Sequence, residues 1–222
     1  MTSNRKNPLP SDLYALTAEE YSLGRSNIEV VKTLLESGIK IIQYREKDKK
    51  QLYKYQECRE IRQMTFEYDA LFIVNDDLEI AKLVQADGVH IGQEDLPITL
   101  VRQIVGEDMI IGLSTHSPQQ AQDAMRLGAD YIGVGPIFAT KTKKDVCSPV
   151  GWDYLQYVVQ NITIPFVAIG GIKADNVAQV VKRGARCVAL VTELVGATDI
   201  KGKVSEVQQI IKNGNISREK GV

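Results

Sequence analysis

Short apolar runs alternate with longer amphipathic segments along the whole chain. The runs fall at 13–16, 39–44, 70–75, 88–91, 109–113, 131–134, 166–169 and 187–191. Several are nearly continuous, such as Leu71-Phe72-Ile73-Val74 and Pro165-Phe166-Val167-Ala168-Ile169. A strand covered on both faces reads this way, whereas a strand with one wet face alternates. The runs therefore predict a parallel sheet lying between helices.

The intervening segments read as helices. Ser26 can cap one whose apolar stripe is Ile28, Val31, Leu34 and Leu35. Leu52, Tyr55, Ile61 and Met64 are placed on the inner face of a longer one. Ser117, Pro118 and Gln120 form a capping box with proline at the first helical position, and Ala121, Ala124 and Met125 then face inward. A glycine ends a helix and sends the chain back to a strand at Gly38, Gly128 and Gly184, with Ala86-Asp87-Gly88 as a variant. Eight strand–helix units result. Right-handed βα repeats without long inserts close on themselves, so the fold class is α/β, a single (β/α)8 TIM barrel over 1–222. Its ends, about 1–10 and 213–222, are polar and expected to be loosely held. A doubly wound open sheet is the alternative, weakened because no glycine-rich dinucleotide turn follows the first strand.

Composition narrows the function. A chain of 222 residues, 44% apolar, suits one such barrel. A net charge of −1 gives no field that would gather nucleic acid or an anionic membrane. No apolar run approaches the roughly 18 residues of a spanning helix, and the N-terminus lacks a secretory apolar core. Cys58, Cys147 and Cys187 show no CxxC spacing, which argues against zinc or a disulfide framework. They are expected to be buried fillers in a cytoplasmic protein. Aromatic and methionine residues leave room for a homo-oligomer. Trp152 is read as packing.

Barrel enzymes carry their chemistry at the C-terminal ends of the strands. The residues there are Gln43, Arg45 and Lys47; Asn75, Asp76 and Asp77; His90 through Asp95; Ser114 and His116; Thr140, Thr142 and Lys143; Gly170-Gly171; and Val191-Thr192. Singly, each has a structural reading: Asp76, Asp77 or Asp95 as helix caps, Arg45 and Lys47 as solvated charges, His116 as a packed histidine. Together they keep one phase, strand after strand.

Arg45, Lys47 and Lys143 put three cations around one mouth, as a polyanion requires. Asp76 and Asp95 offer hard oxygen ligands, and two carboxylates with phosphate oxygens suit Mg²⁺. The set points to a diphosphate leaving group. Gly170-Gly171 and Val191-Thr192 mark a second anion corner, common after strands seven and eight of such barrels.

The segments QYREK, VNDD, DGVHIGQEDLP, GLSTH, DYIGVGPIFATKTK and AIGGI, in order over about 13–192, resemble the thiamine-phosphate synthases. The resemblance implies coupling of 4-amino-5-hydroxymethyl-2-methylpyrimidine diphosphate to 4-methyl-5-(2-hydroxyethyl)thiazole phosphate. It implies Asp76 and Asp95 as Mg²⁺ ligands, and Arg45, Lys47, Asn75, Ser114 and Lys143 around the diphosphate. It places Gln43 and His90 at the pyrimidine. Thr140, Thr142 and Gly171, with Val191 and Thr192, go to the thiazole phosphate. It implies dissociative loss of diphosphate before the thiazole nitrogen attacks. One departure is Glu193, where a small or apolar residue is expected; it is expected to point to solvent. The segment 140–150, crowded with lysines, is expected to act as a lid. Rival readings are a thiazole tautomerase using His116 as its proton-transfer residue, and a non-catalytic barrel that binds a precursor.

Overall fold

A computed structural model describes residues 7–142 and 147–219, the side chains of 217–219 excepted. Eight strands form a closed barrel in chain order: β1 Leu13–Leu16, β2 Ile41–Tyr44, β3 Leu71–Asn75, β4 Gly88–Ile91, β5 Ile110–Thr115, β6 Tyr131–Val134, β7 Phe166–Ala168 and β8 Val188–Leu190. Every ladder is parallel, and β1 pairs β8 through Leu13↔Val188 and Ala15↔Leu190, which closes the ring. The open sheet is thereby excluded.

Helices α1 Asn27–Glu36, α2 Gln51–Glu67, α3 Leu78–Leu83, α4 Ile98–Val105, α5 Pro118–Arg126, α6 Gly151–Asn161 and α7 Val177–Lys182 return the chain between strands. The short α8 Thr192–Val195 and the long α9 Ile200–Glu219 follow β8. α9 takes in much of the tail read as loosely held; its Gly214 lies against Val181 of α7. Left-handed glycines at Gly38, Gly128 and Gly184 stand where helices turn back to strands.

The alternation of strand side chains builds two cores. Tyr14, Ile41, Ile73, Ile110, Tyr131 and Val167 point into the barrel. Ala15, Ile42, Phe72, Val74 and Ile132 point outward beneath the helices. Both faces are dry, hence the continuous apolar runs. Burying each large side chain contributes about 1.5–3 kcal/mol.

Four local expectations need correction. The inner face of α2 is Lys54, Cys58, Ile61 and Thr65, while Leu52 is 63% exposed. Lys54 is accommodated on that face because its Nζ reaches Asp77 Oδ2 at 2.9 Å, which makes burial of the lysine tolerable. Tyr55 and Met64 pack at the edge of the core. Ser26 closes a full capping box with Glu29, but at Ser117 only half of one forms, since Gln120 Oε1 accepts from the His116 N–H. Cys58 and Cys187 are buried, but Cys147 is exposed, lying in the irregular stretch ahead of α6. Finally, β5 runs to Thr115, because Ser114 and Thr115 pair with Gly133 and Val134 of β6.

Candidate active site

The closed barrel brings the C-terminal ends of β2 to β8 to one rim. From β2, Gln43 points inward and is buried, and Arg45 follows half-buried. The Arg45 N–H donates to Thr17 Oγ1 at 2.8 Å, fixing where the side chain leaves the rim. The rest of this loop is tied down by Lys49, which pairs with Glu57 at 2.7 Å and with Glu19. Asn27 Nδ2 donates to the same two glutamates.

β3 ends in Asn75, after which Asp76 takes a left-handed conformation (φ 61°), uncommon outside glycine but more open to aspartate and asparagine than to most residues. Its N–H donates to the His90 carbonyl at 2.9 Å, and its Oδ2 lies 3.3 Å from Lys47 Nζ. The Asp95 carboxyl, on the loop after the next strand, lies close enough for its charge to act on Asp76. Burial, and then the Asp95 charge, hold the Asp76 carboxyl above its ordinary pKa, with Lys47 opposing. Asp95 also accepts from the Gly92 N–H at 2.6 Å. The structure separates the adjacent aspartates: Asp77 turns away to Lys54 and Gln51. None of the three caps a helix with its side chain; Asp77 and Pro97 hold the N-cap positions of α3 and α4 without such a bond.

Across the barrel interior runs a line of buried polar groups. Gln43 Nε2 donates to Tyr14 Oη at 2.8 Å. Tyr14 Oη lies 3.0 Å from Tyr131 Oη, which lies 2.9 Å from His90 Nδ1. His90 Nε2 lies 2.9 Å from Ser114 Oγ, which faces the mouth half-buried. Burial pushes both phenols above their ordinary pKa, so each keeps its proton. Tyr131 crosses Gly112 of β5, where a Cβ would stand 2.2 Å from the ring. Sequence reading missed Tyr14 and Tyr131. The only available signal was a phenol at an inward position of each strand.

The second corner is built from close backbone approach. At Gly170 (φ +99°) a Cβ would meet Pro136 at 2.4 Å, and at Gly171 (φ +63°) the Ala139 carbonyl at 2.6 Å. Asn176 Nδ2 donates to the Gly171 carbonyl at 3.0 Å. The Thr140 and Thr142 hydroxyls lie 3.1 Å apart on the β6 loop. Val191 precedes α8 and Thr192 opens it. Glu193 does not point to solvent, contrary to expectation. Its Oε1 accepts from the Ala174 N–H at 3.2 Å and faces Lys203 Nζ at 3.4 Å, because an unpaired backbone donor and a cation both lie within reach. His116 donates through Nδ1 to the Gly135 carbonyl at 2.6 Å, joining β5 to β6. Trp152 packs edge-on to Phe138 at 5.2 Å and beneath Arg183, as a packing residue should. Lys143, and the stretch 143–146 of the expected lid, lie outside the described residues.

Residues 13–194 match the family described as thiamine monophosphate synthase. The chain belongs to that family. It is 64% identical over 203 residues to the thiamine-phosphate synthase of Pelotomaculum thermopropionicum, covering 91% of this chain and 93% of that one. Its identity to the thiamine-phosphate synthase of Lawsonia intracellularis is 56%, covering 91% and 94%. The solved thiamine phosphate pyrophosphorylase from Pyrococcus furiosus superposes with a TM-score of 0.84 at 36% identity, covering 91% of this chain and 96% of that one.

Proposed function

We propose that this protein is a transferase that joins 4-amino-5-hydroxymethyl-2-methylpyrimidine diphosphate to 4-methyl-5-(2-hydroxyethyl)thiazole phosphate, releasing pyrophosphate and thiamine phosphate. Family membership supports the reaction. The observation that carries the site is the Asp76 carboxylate, 3.3 Å from Lys47 Nζ and within range of the Asp95 charge. Two neighbouring carboxylates repel, and that arrangement suits a hard divalent cation better than a bare pair.

Among the described residues no group of three or more His, Cys, Asp or Glu could hold a metal. Two carboxylates with an open side nonetheless fit Mg²⁺, which takes its remaining ligands from phosphate oxygens and water. Asp76 and Asp95 would hold the ion, and when bound it would neutralise charge developing on the departing diphosphate. The chain's own groups do the rest. Arg45, Lys47, Asn75, Ser114 and Lys143 receive the diphosphate by charge and hydrogen bonds. Gln43 and His90 orient the pyrimidine. Thr140, Thr142, Gly171, Val191 and Thr192 hold the thiazole phosphate, so that the ring nitrogen meets the exposed methylene carbon. The diphosphate leaves before the nitrogen attacks, which requires no protein nucleophile. The bond from His116 Nδ1 to the Gly135 carbonyl leaves Nε2 available and does not decide against the rival tautomerase reading; the cations and paired carboxylates at the mouth favour the synthase, because a tautomerase has no diphosphate to hold.

We place the protein in the cytoplasm, with small-molecule substrates as its partners. Three free cysteines support this, as does the absence among the described residues of any helix long and apolar enough to cross a membrane. The test is direct. Purified protein with both substrates and Mg²⁺ should form thiamine phosphate, read as fluorescent thiochrome, and EDTA should abolish the signal. No product from folded protein would refute the proposal.

A further inference from the structure

The five groups from Gln43 to Ser114 form a hydrogen-bond line whose direction follows from counting protons. Gln43 Nε2 can only donate, so Tyr14 Oη accepts. Tyr14 has one proton to give, and its other bonded neighbour is Tyr131 Oη. Tyr131 must then give its own proton to His90 Nδ1. A neutral imidazole that accepts at Nδ1 carries its hydrogen on Nε2, which faces Ser114 Oγ. Ser114 therefore accepts from within, and its own proton is left to point into the mouth.

We propose that this line, with Tyr14 and Tyr131 as positioning residues, locks His90 in the Nε2–H tautomer and commits the Ser114 hydroxyl to donating outward, toward the leaving diphosphate. The catalytic half of this rests on the proposed function above. The line is rigid because all its inner members are buried: Gln43 is 3% exposed, Tyr14 1%, Tyr131 0% and His90 8%. It joins the two ends of one substrate, since Gln43 stands at the proposed pyrimidine pocket and Ser114 at the diphosphate. A donor already aimed at the developing charge costs no reorganisation when the bond breaks. Reversing the Gln43 amide would reverse every donor in turn and leave Ser114 donating to His90. The tautomer therefore reports the direction.

The chain has two histidines, which makes the measurement clean. Long-range ¹⁵N–¹H NMR of the whole protein, at about pH 8.5 to keep ordinary imidazoles neutral, should show opposite tautomers. His116 should carry Nδ1–H, as its 2.6 Å contact with a carbonyl demands, and His90 should carry Nε2–H. Tyr131→Phe should convert His90 to a mixture. Nδ1–H on His90 in the parent protein would overturn the line while leaving Ser114 free to serve the diphosphate. Kinetics test the consequence. Ser114→Ala should lower kcat about 100-fold and Tyr131→Phe about tenfold. Adding Tyr131→Phe to Ser114→Ala should cost nothing further, because Tyr131 acts through Ser114; additive losses would mean that the phenol is only structural. Full turnover by Ser114→Ala would instead remove the diphosphate role of Ser114, whatever tautomer the spectrum shows.

Discussion

Gly112→Ala should disable the interior line without removing a polar group. Gly112 pairs with Tyr131 across β5 and β6, and the phenol ring lies over it. An added Cβ would stand 2.2 Å from Tyr131 Cζ and 2.5 Å from both Cε1 and Oη, where ordinary contact begins at 3.4 Å. The ring must therefore retreat by about 1.2 Å. Its hydroxyl is held at 3.0 Å by Tyr14 and 2.9 Å by His90, so a shift of that size along either bond carries it past hydrogen-bonding range. Overpacking costs about 1–3 kcal/mol. A buried polar group left unpaired adds about 1–3 kcal/mol. At about 2–4 °C per kcal/mol for a chain of this size, the melting temperature should fall by on the order of 10 °C. Turnover of the folded fraction should fall about tenfold as Ser114 loses its orientation. Thermal melts by circular dichroism and the thiochrome assay read the two effects separately. A melt within 2 °C or so of the parent, well inside the scatter expected of a neutral surface change, together with full turnover would refute the claim that Tyr131 is held rigidly.

Asp76→Asn should abolish most turnover, at least about 100-fold, while stabilising the metal-free fold. The folded state raises the Asp76 pKa above its ordinary 3.8 by burial and by the Asp95 charge. Its ionised form therefore costs stability, increasingly as pH rises through the window above 3.8. The asparagine variant should lose that part of the pH dependence when unfolding is followed in EDTA; a larger fall in stability at pH 7 than at low pH would contradict it. Gly171→Ala should raise KM for the thiazole phosphate at least tenfold and lower the melting temperature, because a Cβ there meets the Ala139 carbonyl at 2.6 Å at a positive φ. An unchanged KM would move that phosphate elsewhere. Lys143→Ala should remove most turnover with an unchanged melt, read by the same assays; near-normal rates would take Lys143 out of the diphosphate group.

Much of this protein is legible in one dimension. The apolar runs locate all eight strands, because a strand dry on both faces must be apolar throughout. Strand phase then selects the rim, since side chains just past each strand end gather at one mouth whatever the helices do. Residue type does the rest for Arg45, Lys47, Asp76 and Asp95, whose chemistry does not depend on a precise neighbour. Other features required closure of the barrel. Tyr14 and Tyr131 are 117 residues apart and meet only inside it. Asp76 and Asp77 are alike in sequence, yet a left-handed turn sends one to Asp95 and Lys47 and the other to Lys54. The same Lys54–Asp77 pair lets α2 bury a lysine on a face that its apolar residues did not suggest. Glu193 is held by an N–H and a lysine that no local pattern announces. Periodicity records burial, which is averaged along an element. A hydrogen bond depends on two atoms and their positions, and those are settled only when distant strands are brought side by side.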